Sequence, residues 1–179
     1  MTKAIATIAG TLLLASPLIG QEAPPNAPQY VKSVQAPGVD VRYLDFGWNE
    51  EAFTTLEKGG THPVGRRSWV LARLLLQSQA LKWNGRTIPL GPSLLVLNPA
   101  QGSAGPTLEL RSVDMREVFV DMNVVAEPPK GETYQKVPAS FTRVDTLAPR
   151  VAISLQDKGS SLDLIVHYGD RKTTITLVR

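Results

Sequence analysis

The sequence predicts an all-β fold, an antiparallel β-sandwich or barrel-like domain with one short helix, and three observations predict it. Apolar residues recur at every second position through much of the chain, glycine and proline interrupt it at short intervals, and only one segment carries clear helix start and stop signals. Many short strands joined by Gly/Pro turns define a sandwich or a barrel.

The chain opens with the basic Met1-Thr2-Lys3, an apolar run from Ala4 to Ala15, then Ser16-Pro17, Leu18-Ile19-Gly20 and the polar Gln21-Glu22. A short positive segment, a brief apolar core and small residues before a polar stretch make a secretory signal peptide. The run is shorter than the roughly 20 apolar residues a membrane-spanning helix needs. Residues 1–20 are therefore expected to be removed, with cleavage after Gly20 preferred and after Ala23 also compatible. No Cys follows the run, which excludes a lipid anchor on a mature N-terminal Cys. Residues 21–29, with prolines at positions 24, 25 and 28, read as an extended tether. Residues 30–179 remain as a single β domain, large enough to bury its own core.

Within that domain Asn49 is placed to cap a helix whose first turn holds Glu50 and Glu51 and which Gly59 ends. Residues 68–76 are ambiguous. Leu, Ala and Arg favour a helix, whereas Trp69, Leu71, Arg73 and Leu75 fit an alternating strand, and the strands that follow favour the latter. Asn84-Gly85, between Leu81-Lys82-Trp83 and Arg86-Thr87-Ile88, is the preferred pair for a type I′ hairpin. Leu94 to Leu97 is continuously apolar, as in a strand buried on both faces. Leu108 and Leu110 alternate with Glu109 and Arg111, and Val118, Val120, Met122 and Val124 with Phe119, Asp121 and Asn123. Val151, Ile153 and Leu155, then Leu162, Leu164, Val166 and Tyr168, then Ile175 and Leu177 predict a three-stranded meander from about 150 to the end. Its reversals fall at Asp157-Lys158-Gly159-Ser160 and at Gly169-Asp170.

Composition narrows the chemistry. Removing residues 1–20 takes away Lys3 and no acid, which leaves a net charge of about +2 from the 19 basic and 16 acidic residues of the full chain. No basic run is longer than Arg66-Arg67, so no nucleic-acid footprint is present. The absence of Cys removes disulfides, thiol nucleophiles and Cys-based zinc sites. Neither a metal nor a cofactor is expected: His62 and His167 lie far apart, and Asp163 lies about 13 Å along a strand from His167, too far to share an ion. The chain holds no Gly-x-Ser-x-Gly elbow, and Ser103 in Gly102-Ser103-Ala104-Gly105 reads as loop punctuation.

Two features point to binding. The segment Gly59-Gly60-Thr61-His62-Pro63-Val64-Gly65-Arg66-Arg67 could offer backbone N–H groups and guanidiniums to an anion, although glycine and charge also make ordinary flexible surface loops. Trp48 and Trp83 sit beside turns, where aromatic faces stack on sugars or clamp peptides, while Trp69 reads as core. The candidate ligand residues are Trp48, His62, Arg66, Arg67 and Trp83. Asp40, Asp45, Glu109 and Asp121 are candidate carboxylates for a hydrolase, which needs two of them several Å apart, and the sequence selects no pair.

Residues 69–99, in which a Trp opens a strand and Leu81-Lys82-Trp83-Asn84-Gly85-Arg86-Thr87-Ile88-Pro89-Leu90-Gly91-Pro92 leads into Leu94-Leu95-Val96-Leu97-Asn98-Pro99, resemble domain-of-unknown-function family 2911. That family has a strand, an Asn-Gly-Lys-like turn and a Pro-x-Gly leading into an apolar strand that ends in proline. Leu162-Asp163-Leu164-Ile165-Val166-His167-Tyr168-Gly169, followed by Thr173 to Val178, resembles its closing hairpin. The resemblance covers about half the chain. It implies an exported bacterial protein with a signal peptide and a β-sandwich-like domain, and it implies no reaction. The family follows its Trp with a polar Arg-x-Gly-Ala-Asn-Glu-like stretch; here Val70-Leu71-Ala72-Arg73-Leu74 stands instead, so no site on that stretch carries over.

The expectation is thus an exported, non-enzymatic domain of the bacterial envelope, periplasmic or extracellular, that binds a ligand or an envelope protein and has no transmembrane segment after processing. A carboxylate-dependent hydrolase acting on glycans and a purely structural envelope component are the alternatives.

Overall fold

The computed structural model describes residues 31–113, 124–125 and 131–179. The leader, the tether, Asp121 and, apart from Val124, the alternating segment 118–124 lie outside the described residues. Two antiparallel sheets face each other. The larger has the spatial order β1 (Val31–Ala36), β2 (Val39–Leu44), β3 (Ser68–Leu76), β6 (Gly91–Asn98), β7 (Thr107–Ser112) and β9 (Thr133–Pro138), with β8 (Val124–Val125) also pairing with β3. The smaller runs β10 (Thr142–Asp157), β11 (Ser161–Val178), β4 (Leu81–Trp83) and β5 (Arg86–Ile88).

Period-two patterning builds the core. Val39, Val41, Leu74, Leu76, Leu95, Leu97, Leu108 and Leu110 of the larger sheet pack in one cluster with Leu81, Ile88, Leu162, Leu164, Ile175 and Leu177 of the smaller one. Each such side chain contributes about 1.5–3 kcal/mol when fully buried. The structure makes 68–76 a strand and explains its ambiguity. Val70 pairs with Val96 and Ala72 with Leu95, so Leu71 is an extra residue in a β-bulge. The bulge moves the inward set from Trp69 and Leu71 to Ala72, Leu74 and Leu76, and it turns Arg73 to the outer face, where alternation alone had grouped it with Trp69. Strand β6 is apolar on both faces: Leu94 and Val96 join Val70 in a second cluster on the outer side.

Helix α1 (Glu50–Lys58) starts where Asn49 Oδ1 accepts the Ala52 N–H at 2.8 Å and stops at Gly59. It inserts Ala52, Phe53 and Leu56 at one end of the sandwich. The Phe53 ring lies 5.1–5.9 Å from those of Trp48, Trp69, Phe141 and Tyr168, mostly edge to face, the geometry that ring quadrupoles favour. At Asn84-Gly85 both residues have positive φ, 45° and 79°, as a type I′ turn requires.

Strand β11 is continuous from Ser161 to Val178 but folds back on itself at Gly169-Asp170. Thr176 Oγ1 donates to Asp163 Oδ1 at 2.7 Å and the Arg179 N–H donates to Ser160 O at 3.0 Å. Thirteen residues of straight strand would hold the first pair about 43 Å apart. The expected meander is therefore present, with its second reversal at Gly169 (φ 62°). Arg171, just past the tip, is buried and ties the hairpin to α1 through Glu57 at 3.2 Å.

The first reversal carries a pH-sensitive contact. Lys158 Nζ at 2.6 Å, with the Thr176 hydroxyl, holds the Asp163 carboxyl below its ordinary range. Because the folded value is the lower one, this stabilisation is fully present above the unfolded pKa of about 4 and is lost as pH falls through the folded value. Asp163→Asn is expected to be less stable than wild type at neutral pH, and the gap should close as urea midpoints are followed from about pH 5 down to pH 2. A constant gap across that range would contradict this assignment.

Candidate functional site

The 59–67 segment is exposed along most of its length but is anchored at the buried Gly65. One 3₁₀ turn, Val64–Arg66, lies on α1, and a Cβ on the buried Gly65 would meet Ala52 O at 2.3 Å. Only glycine allows the two backbones to approach so closely. The indole N–H of Trp69 donates to Val64 O at 3.0 Å, and the Arg66 Nε–H donates to Gly60 O. These contacts hold Arg66 at the mouth of a cleft of about 420 Å³, a usual size for a small-molecule site.

The cleft lies over the outer face of the larger sheet, where β3, β6 and β7 bring Ser68, Asn98 and Glu109 into line. All three are buried, at 5 %, 5 % and 3 % exposure. Ser68 Oγ donates to Asn98 Oδ1 at 2.8 Å, and Asn98 Nδ2 donates to Glu109 Oε2 at 3.0 Å. The other oxygen of Glu109 accepts from Thr133 Oγ1 at 2.5 Å and lies 3.3 Å from Arg111 Nη1. The network is polarised in one direction. A carboxylate only accepts, so Asn98 must turn its amide N–H₂ toward Glu109 and its carbonyl toward Ser68. Ser68 then has to donate to Asn98, and its hydroxyl keeps only acceptor lone pairs for the cleft. Lys136, opposite Glu109 on β9, and Gln101 also line the cleft. The Gln101–Ala104 turn is closed by two backbone hydrogen bonds of 3.0 Å, so Ser103 sits at its tip, as loop punctuation should.

A second cavity, of about 520 Å³, opens beside the smaller sheet and is lined by Trp83, Leu108, Val137, Lys172 and Thr173 to Thr176, among others.

The structure separates the five predicted ligand residues. Arg66 lines the first cleft. His62 is half-buried on the same segment, its Nδ1 without a hydrogen bond among the described residues, and Arg67 is exposed. Trp83 lines the second cavity, on the other sheet. Trp48 is buried in the core, its ring 4.7 Å from that of Tyr168. Of the candidate carboxylates, Asp40 pairs with Arg42 at 3.4 Å, Asp45 with Arg150 at 3.2 Å, and Glu109 with Arg111. Among the described residues, the first cleft is lined by one carboxylate, Glu109, and the second cavity by none. Among the described residues no group of three or more metal-ligating side chains occurs, and no helix among them is long and apolar enough to cross a membrane. Ser68, Asn98 and Lys136 were not selected from sequence. The available signal was polar residues at the ends of strands otherwise apolar on both faces, such as Asn98 closing Leu94 to Leu97.

The fold and the cleft define a β-sandwich domain with a polar surface site. No family model matches the chain, and neither a curated protein nor a solved structure does.

Proposed function

We propose that this chain is an exported, non-enzymatic binding domain of the bacterial envelope that holds a small anionic ligand in the cleft above Ser68, Asn98 and Glu109. The observation that carries this reading is the pairing of two cations lining the cleft, Arg66 and Lys136, with a largely buried, hydrogen-bonded polar floor. A guanidinium binds carboxylate or phosphate through charge-assisted hydrogen bonds, and the floor offers an acceptor, Ser68 Oγ, to a ligand hydroxyl. An anion that also carries hydroxyl groups, such as a sugar acid, satisfies both. The single carboxylate among the described lining residues, already engaged by Arg111, Asn98 and Thr133, favours binding over the two-carboxylate hydrolysis of glycans. Export rests on residues 1–20 and on the resemblance to a family of exported proteins.

Titration calorimetry of the mature chain with glucuronate, citrate and glucose tests the reading. Glucuronate is expected to bind, neutral glucose to bind much more weakly, and Arg66→Ala to raise the Kd about tenfold or more, the loss of one charge-assisted hydrogen bond. No binding by either acid, or affinity unchanged in Arg66→Ala, would overturn it.

A further inference from the structure

The second cavity marks a gap in a β-sheet. The returning arm of the β11 hairpin, beyond Gly169-Asp170, pairs along one edge with two separate strands. Near the tip Thr142 pairs with Lys172, and at the far end Trp83 and Lys82 pair with Leu177 and Val178. Both pairings are antiparallel to this arm. Between them, Thr173 to Thr176 have no partner strand on that edge among the described residues, and these four residues line the cavity.

The register says which backbone groups face the gap. In a hairpin with a two-residue turn, the residues flanking the turn exchange both hydrogen bonds, and bonded and non-bonded pairs then alternate. The contact of Asp163 with Thr176 and that of Ser160 with Arg179 fit a turn centred on Gly169-Asp170. Arg171, Thr173, Ile175 and Leu177 therefore bond across the hairpin. Thr174 and Thr176 direct their N–H and C=O groups to the opposite edge, as Lys172 and Val178 do where they meet their partners. Unpaired edge groups are a template for another strand, and here β10 and β4 flank a vacancy about 13 Å long at 3.3 Å per residue.

We infer that this gap is a strand-addition site for an extended peptide, which enters antiparallel to Thr173–Thr176 and completes the smaller sheet. Main-chain bonds to Thr174 and Thr176 supply the affinity, and alternate side chains supply the specificity. A residue facing inward meets Leu108, Val137 and Ile175 and is apolar. Lys172 at the rim, with no carboxylate among the described lining residues, favours an acidic residue in the peptide. The occupant is a short, extended, apolar and acidic segment of another protein. This site is separate from the anion cleft and does not depend on it.

Amide hydrogen exchange of the full mature chain gives the first test. In the free protein the Thr174 and Thr176 amides are expected to exchange much faster than those of Thr173 and Ile175. Titration with the probe acetyl-Thr-Leu-Glu-Leu-Thr-amide should then protect Thr174 and Thr176 and shift their NMR signals saturably. The same peptide with its alternate backbone amides N-methylated should bind at least tenfold more weakly, which isolates the main-chain bonds without altering the protein. Thr174→Pro, folded by circular dichroism, should bind no better than the N-methylated control shows for wild type. Three results would overturn the inference: protection of Thr174 and Thr176 in the free monomer, which means the chain fills its own gap; protection that appears only with dimerisation, which means a second copy does; or equal binding of the two peptides.

Discussion

Gly169→Ala is expected to lower the unfolding free energy by about 2–5 kcal/mol, an exceptional loss for the addition of one methyl group. Two independent effects add. Gly169 has φ 62°, a left-handed conformation that costs an alanine about 1–2 kcal/mol. The new Cβ would also stand 2.2–2.4 Å from three atoms of the Trp48 indole. That ring cannot recoil freely, because the Trp48 N–H is bonded to Pro149 O at 2.9 Å and its ring is wedged against Phe53 and Tyr168. Overpacking of this kind adds about 1–3 kcal/mol. Urea unfolding measures the sum, and the Tm should fall by roughly 10 °C for a domain of this size. A cycle with Trp48→Leu separates the two parts, since the smaller side chain removes the clash and leaves the backbone term. A Gly169→Ala loss below about 0.5 kcal/mol would show that the hairpin tip does not press on Trp48.

The same contact shows where sequence reading reaches its limit. Local signals were sufficient for the helix, because Asn49, the two glutamates and Gly59 act within a few residues of one another. They were sufficient for the Asn84-Gly85 and Gly169-Asp170 reversals, where the positive φ of Asn84, Gly85 and Gly169 calls for such residues, and for the doubly buried Leu94 to Leu97. Trp48 stood beside a turn and read as a ligand face, yet it is covered by a hairpin tip 121 residues further on, which no local pattern encodes. In 68–76 the bulge at Leu71 breaks the period of two, so a true strand looked partly helical. The cleft was legible only through its mobile-looking part. Arg66 was marked by glycine and charge, although Gly65 serves close packing on α1 rather than flexibility. Ser68, Asn98 and Glu109 come from three strands whose register depends on long-range pairing, and their polarity has meaning only once they are side by side.

Glu109→Ala is expected to destabilise the domain by about 3–5 kcal/mol, the usual loss when one member of a buried, hydrogen-bonded ion pair is removed. The substitution removes the acceptor shared by three donors: the Arg111 guanidinium, only 12 % of whose side chain is exposed and which keeps the Gly131 carbonyl at 3.0 Å, the buried Asn98 amide, and the hydroxyl of the exposed Thr133. Glu109→Gln keeps the volume and one acceptor, so it should lose less, about 1–3 kcal/mol, the penalty for donors left unsatisfied. The decisive comparison is the double substitution Glu109→Leu/Arg111→Met, which removes both charges and should be more stable than Glu109→Ala, since apolar replacements of a whole buried pair are often neutral. If the double variant is instead the least stable of the three by urea unfolding, the pair contributes net stability and the floor of the cleft is a structural element in its own right. Should it recover stability while glucuronate binding is lost, the cost of burying Glu109 is borne for the cleft: it fixes the direction of the Asn98 amide, and through it the acceptor that Ser68 presents.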